Sequence, residues 1–264
     1  MSSKREKELA RAKWERQQAR RTTKAARDSV IKRGILAAVI VIGIVAYAVA
    51  NNSSQTPSAL PTQTASTAMP SSSTDSNLLA NCASVGPLNT VAKQYSFAPT
   101  GGPSATNLSL DTNCGPISIA LDSKAPLTSR VMSKLARDKY FDMTACHRLT
   151  TSGIYVLQCG DPTGTGSGSP GFKFADENLP KADASGSFTY PRGTIAMANS
   201  GPGTNGSQFF IVYRDSPLPP AYSVWGHVVT GLGVVDRIAA AGVQGGGSDG
   251  KPNANVVITN ARAQ

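Results

Sequence analysis

From Gly193 to Tyr213 the chain reads strand, turn, strand. Thr194-Ile195-Ala196-Met197-Ala198 alternates bulky apolar residues with small or polar ones, as a half-buried strand does. Asn199–Gly206 holds three Gly, two Asn and Pro202, which is turn chemistry. Ser207-Gln208-Phe209-Phe210-Ile211-Val212-Tyr213 resumes a strand. Successive strand side chains face opposite ways, so one of Phe209 and Phe210 enters the core and the other faces a second environment. Pro116–Leu121 alternates with Ile117, Ile119 and Leu121 on one face. Ala125-Pro126 opens a helix whose Leu127, Val131, Met132 and Leu135 form one apolar stripe. Val224–Val229 predicts another strand with Trp225 buried, Leu232–Ala240 a second helix, Gly245–Asn255 a glycine-rich loop and Asn255–Thr259 a last strand. A first strand is expected at Val91–Phe97, in a domain beginning near Leu78–Cys82. Short strands separated by turns, with two helices, predict a mainly β, closed antiparallel barrel.

The pattern is different before Leu78. Gly34–Ala50 is 17 residues without a charge, at the lower limit for a membrane-spanning helix. Met1–Arg33 holds 12 Lys/Arg against 4 Asp/Glu, so eight of the chain's ten net positive charges lie in this tail. A basic tail can bind nucleic acid, but a one-sided charge excess abutting an apolar run reads better as a cytoplasmic flank. The expectation is a single-pass cell-membrane protein with residues 1–33 cytoplasmic, a membrane helix at 34–50, a Ser/Thr/Pro/Ala-rich linker at 51–77 and a folded extracytoplasmic domain at 78–264. A cleaved signal peptide ending at Ala48-Val49-Ala50 is the alternative; the long basic region and long apolar run favour retention. The linker composition cannot bury enough apolar surface to offset its ordering entropy.

Two blocks carry the chemistry. One is the stretch MANSGPGTNGSQFF at 197–210; the other runs through Cys146-His147-Arg148-Leu149, Gln158-Cys159-Gly160-Asp161 and Phe174-Ala175-Asp176-Glu177-Asn178-Leu179. In this order the chain resembles the cyclophilins, the peptidyl-prolyl cis/trans isomerases, from about Cys114 to Gln264. The resemblance implies an eight-stranded barrel capped by two helices. It implies isomerisation of X–Pro bonds in secreted or envelope proteins, without cofactor or metal and with proline-containing polypeptides as partners, by a protein taken to be monomeric. By position, Arg148 matches the catalytic arginine, and Gln158 and Gln208 the glutamines that orient it and bind substrate backbone. Phe210 matches the floor of the proline pocket, and Ala198 and Asn199 the edge that pairs with the peptide. Counting back from Gln158 puts Tyr155 and Val156 in the pocket. Leu218 and Tyr222 complete its rim, while Pro217 stands where tryptophan is common. A proline-binding module or chaperone with little turnover is the rival; an intact Arg148 favours the enzyme.

Other chemistries find little material. The chain has two histidines, His147 and His227, and one glutamate after residue 33, Glu177. Pro162–Gly171 lacks the lysine and helix of a phosphate loop. Four cysteines in an exported domain invite disulfides. Cys146 and Cys159 flank an expected hairpin turning near Thr151–Gly153, which would bring them together; Cys82 and Cys114 then pair by elimination. Free thiols are the alternative.

Overall fold

The computed structural model describes residues 80–96, 98, 102 and 105–264. The expected tail, the apolar run Gly34–Ala50 and the linker lie outside them. No helix among the described residues is long and apolar enough to cross a membrane.

Among the described residues, twelve strands and two α-helices follow in chain order: β1 Asn107–Thr112, β2 Gly115–Leu121, α1 Pro126–Arg137, β3 Thr144–Ala145, β4 Arg148–Thr150, β5 Val156–Cys159, β6 Phe188–Tyr190, β7 Thr194–Met197, β8 Phe209–Val212, β9 Ser216–Leu218, β10 Val224–Thr230, α2 Leu232–Ala240, β11 Asp249–Gly250 and β12 Val257–Ala263. Ten strands form one sheet in the order β11-β4-β5-β8-β7-β10-β2-β1-β12-β3, and β6 pairs with β9 in a separate ribbon. The expected closed eight-stranded barrel is therefore corrected to a curled, open ten-stranded sheet. The opening has a local cause. Between β3 and β4 the chain changes partner: the Cys146 N–H donates to Val256 O at 3.0 Å, whereas the His147 N–H donates to Gln158 O at 3.1 Å.

The expected first strand at Val91–Phe97 is also corrected. Residues 91–96 have no regular structure, Val91 is 76% exposed, and the first strand is β1, whose Leu108 and Leu110 alternate into the core. Residues 80–98 instead run as a strap. Cys82 is bonded to Cys114, the Asn89 N–H donates to Met143 O and the Tyr95 N–H to Pro170 O, each at 2.8 Å. The Tyr95 ring meets Phe172 edge-on at 6.0 Å.

The main core gathers Trp225, Phe209, Phe141, Leu108, Ile119 and Met132, all fully buried. Each such side chain stabilises the fold by roughly 1.5–3 kcal/mol through area removed from water. Helix α1 covers β12 and β10, and α2 covers β2. The α1 stripe falls as expected: Val131, Met132 and Leu135 are fully buried, and Leu127 partly so. Its first turn has no cap from its own Ala125. Glu177 supplies one from a distance, accepting the Leu127 N–H at 3.0 Å and the Thr128 N–H at 2.7 Å, where a carboxylate also meets the positive end of the helix. Asn178 Nδ2 donates to Val224 O at 2.8 Å, and Asp176 accepts the Gly203 N–H at 2.8 Å. The Asp-Glu-Asn motif thus ties helix, sheet and glycine turn together. Gly231 opens α2 at φ 91°, where an added Cβ would lie 2.2 Å from Pro116 O, so only glycine fits there.

Candidate active site

Strand register builds the site. Arg148 on β4 pairs with Gln158 on β5, Gln158 with Phe210 on β8, Phe210 with Ala196 on β7, and Ala196 with Val224 on β10. Side chains directly opposite in a ladder share a face, so one row across five strands carries the arginine, the glutamine and the aromatic. The next residues along form the opposite row, in which Cys159 pairs with Phe209 and Phe209 with Met197, facing the main core. Phe209 and Phe210 divide as the alternation requires: Phe209 is in the main core, and Phe210 belongs to a second apolar cluster with Val156, Tyr190, Ala196 and Val212.

A cavity of about 180 Å3 opens on that second cluster, lined by Arg148, Ile154, Val156, Gln158, Ala198, Asn199, Phe210, Leu218 and Tyr222. Tyr222 packs edge-on against Phe210 with ring centroids 5.4 Å apart. Leu218 arrives on the β6–β9 ribbon, paired with Phe188. Two expected residues lie elsewhere. Tyr155 faces a different groove, edge-on to Tyr213 at 6.0 Å and with the Arg214 guanidinium 4.5 Å from its ring. Alternation explains this: with Val156 and Gln158 on the cavity face, Tyr155 points away. Ile154 follows as the missed pocket residue, two positions before Val156 and legible by period two alone. Gln208 lines not the cavity but a larger neighbouring groove of about 480 Å3, which shares Gln158, Ala198 and Asn199 with the first.

Polar groups run in one chain from the cavity to the glycine-rich loop. Arg148 Nη1 donates to Gln158 Oε1 at 3.4 Å, and Gln158 Nε2 to Gln208 Oε1 at 2.9 Å. Gln208 Nε2 donates onward to Gly166 O and Gly168 O at 3.0 and 3.1 Å. The loop is fixed in turn by fully buried Asp161, whose carboxylate accepts the Thr163 and Gly168 N–H groups at 2.8 and 2.9 Å. Burial pushes the Asp161 carboxyl up, but the Thr163 hydroxyl, these amides and His147 outweigh it and hold it below the usual range. Gly160, at φ 88°, lets the chain pass Ser207, whose carbonyl would be 2.3 Å from an added Cβ. Asn199 serves the turn: its Nδ2 donates to Ala221 O at 2.8 Å and its Oδ1 accepts the Gly201 N–H at 3.1 Å.

Arg148 is half-exposed and forked onto Asp249, with Nε to Oδ1 and Nη2 to Oδ2 both at 2.7 Å. The hydrogen bonds from Asp249 raise the Arg148 pKa further, and the arginine holds the Asp249 carboxyl below the usual range. Nothing local in the sequence marks Asp249, which lies in a glycine-rich loop 101 residues from Arg148. Beneath the site His147 has both ring nitrogens buried without a hydrogen-bond partner among the described residues. Burial lowers its pKa, Arg148 adds to this, and Asp161 opposes it. Both expected disulfides are present, Cys146–Cys159 and Cys82–Cys114. Among the described residues no three His, Cys, Asp or Glu side chains gather into a group that could hold a metal ion.

The fold is shared with solved structures. The chain resembles a cyclophilin-type peptidyl-prolyl cis-trans isomerase from Cryptosporidium parvum with a TM-score of 0.50 and 26% identity, covering 61% of this chain and 98% of that one. The same protein in the presence of the dipeptide Ala-Pro matches with a TM-score of 0.50 and 27% identity, over 60% of this chain and 98% of that one. A family model described as cyclophilin-type peptidyl-prolyl cis-trans isomerase matches residues 107–263, more than half of the chain, and the chain therefore belongs to that family. Among curated relatives, "Probable peptidyl-prolyl cis-trans isomerase B" of Mycobacterium tuberculosis is 46% identical over 198 residues, which are 69% of this chain and 64% of the relative. The protein of the same name from Mycobacterium leprae is 43% identical over 209 residues, 74% of this chain and 70% of its own length. The match thus spans about two thirds of each mycobacterial protein.

Proposed function

We propose that this chain is a peptidyl-prolyl cis/trans isomerase, anchored in the membrane by Gly34–Ala50, that acts as a monomer on X–Pro bonds of secreted or envelope proteins outside the cytoplasm. The observation that carries the activity is Arg148 at the rim of an apolar cavity floored by Phe210. The barrier to rotation about the peptide bond is about 18–20 kcal/mol because the amide is conjugated. Twisting deconjugates it and leaves a lone pair on a pyramidal nitrogen. A guanidinium that donates to that nitrogen stabilises the twisted state more than the planar one, and only such differential stabilisation raises the rate. Phe210, Val156 and Leu218 hold the proline ring, Ala198 and Asn199 border the flanking peptide, and Gln158 orients the arginine. Two disulfides and a one-sided basic flank support an oxidising, extracytoplasmic setting. The test is kcat/KM on a proline tetrapeptide for the full chain in detergent. Arg148→Ala is expected to lose about a hundredfold, and Arg148→Lys to recover little, because an ammonium lacks the planar fork. Wild-type rates in a folded Arg148→Ala protein would remove the mechanism. An inactive wild type that binds proline peptides would make it a binding module.

A further inference from the structure

Asp249 stands on a short segment with its own supports. The base of loop 243–252 is clamped by a bridge between Val243 and Pro252. The Asn253 N–H and Nδ2 donate to Gly242 O and Ala241 O, each at 2.8 Å. Its tip, β11, pairs with β4 so that Asp249 lies opposite Thr150 and Gly250 opposite Leu149, and the Thr151 N–H donates to Ser248 O at 2.8 Å. This rigid return carries the carboxylate to Arg148 from the side away from the cavity: Arg148 lines the cavity and Asp249 does not.

A guanidinium has five N–H donors. Asp249 takes the Nε hydrogen and one on Nη2, and Gln158 takes one on Nη1. One hydrogen on each terminal nitrogen remains for a ligand in the cavity. Fork-to-fork pairing fixes the plane of the guanidinium as well as its position. The long arginine side chain otherwise has several rotamers to choose from, and only a fixed donor is placed before the amide twists.

We propose that Asp249 is a positioning residue for the isomerase reaction, holding the Arg148 guanidinium in the plane from which it meets the twisted amide; this rests on the isomerase reading above. The experiment measures kcat and KM separately by two-dimensional NMR exchange on a proline tetrapeptide, using the full chain in detergent. The proteins are wild type, Asp249→Ala, Asp249→Asn, Arg148→Ala and the double variant Arg148→Ala/Asp249→Ala. Asp249→Ala is expected to lower kcat about tenfold with KM changed less than twofold. Asp249→Asn keeps the shape with a single acceptor oxygen and is expected to fall between it and wild type. In the Arg148→Ala background, loss of Asp249 is expected to change kcat less than twofold, since nothing is left to position; a role in loop folding alone would lower both backgrounds equally. Unchanged kcat in both Asp249 variants, a loss confined to KM, or additive losses in the double variant each overturn the proposal. If Arg148→Ala itself is fully active, the isomerase mechanism fails first, and that outcome is read independently from the single variant.

Discussion

Replacing both Cys146 and Cys159 by alanine removes a tether without removing the ladder beside it. The bond spans a sequence separation of 13, and chain-entropy loss for a loop of about 15 residues corresponds to about 3 kcal/mol at 25 °C. Both cysteines are buried, at 3% and 1% exposure, so alanine introduces no unpaired polar group. For a domain of this size each kcal/mol moves Tm by roughly 2–4 °C, so the double variant is expected to melt about 6–12 °C below wild type. Calorimetry on the two proteins reads this, and dithiothreitol, which also reduces Cys82–Cys114 in both, is expected to lower both melts and to narrow the gap between them. Activity is expected to respond differently. The pairs Arg148–Gln158 and Leu149–Leu157 still join β4 to β5, and four further pairs still join β5 to β8. The tether acts mainly on the unfolded chain, so kcat/KM at 25 °C is expected to stay within about threefold of wild type. A Tm change below 2 °C would refute the loop-closure reasoning. A large activity loss with an unchanged Tm would show instead that the bond holds Arg148 in place.

Two other outcomes are expected. Because the folded pKa of His147 is lowered by burial, the unfolded chain binds the extra proton, and stability rises with pH in this window. Stability is therefore expected to be full above about pH 6.5 and to decline as pH falls below it, with His147→Gln flattening the dependence of Tm on pH between 7 and 5; an unchanged slope in His147→Gln would show that another group sets it. For topology, protease added to intact, wall-stripped cells is expected to cut the linker at 51–77 and release the folded domain, whereas a protected domain would refute the assignment and a mature N-terminus at Asn51 would support cleavage.

Local periodicity was enough to read the elements that make most of the site. The opposite fates of Phe209 and Phe210 follow from strand alternation. The bounds of α2 follow from apolar spacing, and the hairpin that joins Cys146 to Cys159 follows from a turn between apolar segments. What escaped depends on partners distant in sequence. Residues 91–96 resemble a strand, but they lie in the strap, where the Tyr95 N–H goes to Pro170 O. Asn107–Thr112 looks polar until β2 and β12 pair with it on both sides. Tyr155 lies an odd number of residues from Gln158, so strand alternation turns it to the other face and into a different groove. Counting by twos from Gln158 instead gives Val156 and Ile154, the residues that line the cavity. Asp249 had no local signal at all, because a lone carboxylate among glycines gains meaning only when β11 returns to β4.

Register also links stability to chemistry. If β5 slipped by one residue against β4 and β8, Gln158 and Val156 would turn to the main core, and Leu157 and Cys159 to the cavity. Gln158 would lose both Arg148 and Gln208, breaking the polar chain at its middle. A slip would also draw Cys159 out of the core that it shares with Cys146. The Cys146–Cys159 bond forms at the point where the chain changes partner between β3 and β4. A covalent link there excludes the slipped pairing at the end of β5 next to the polar chain. The same bond that restricts the unfolded chain therefore selects, among compact states, the one in which Arg148, Gln158 and Phe210 share a row.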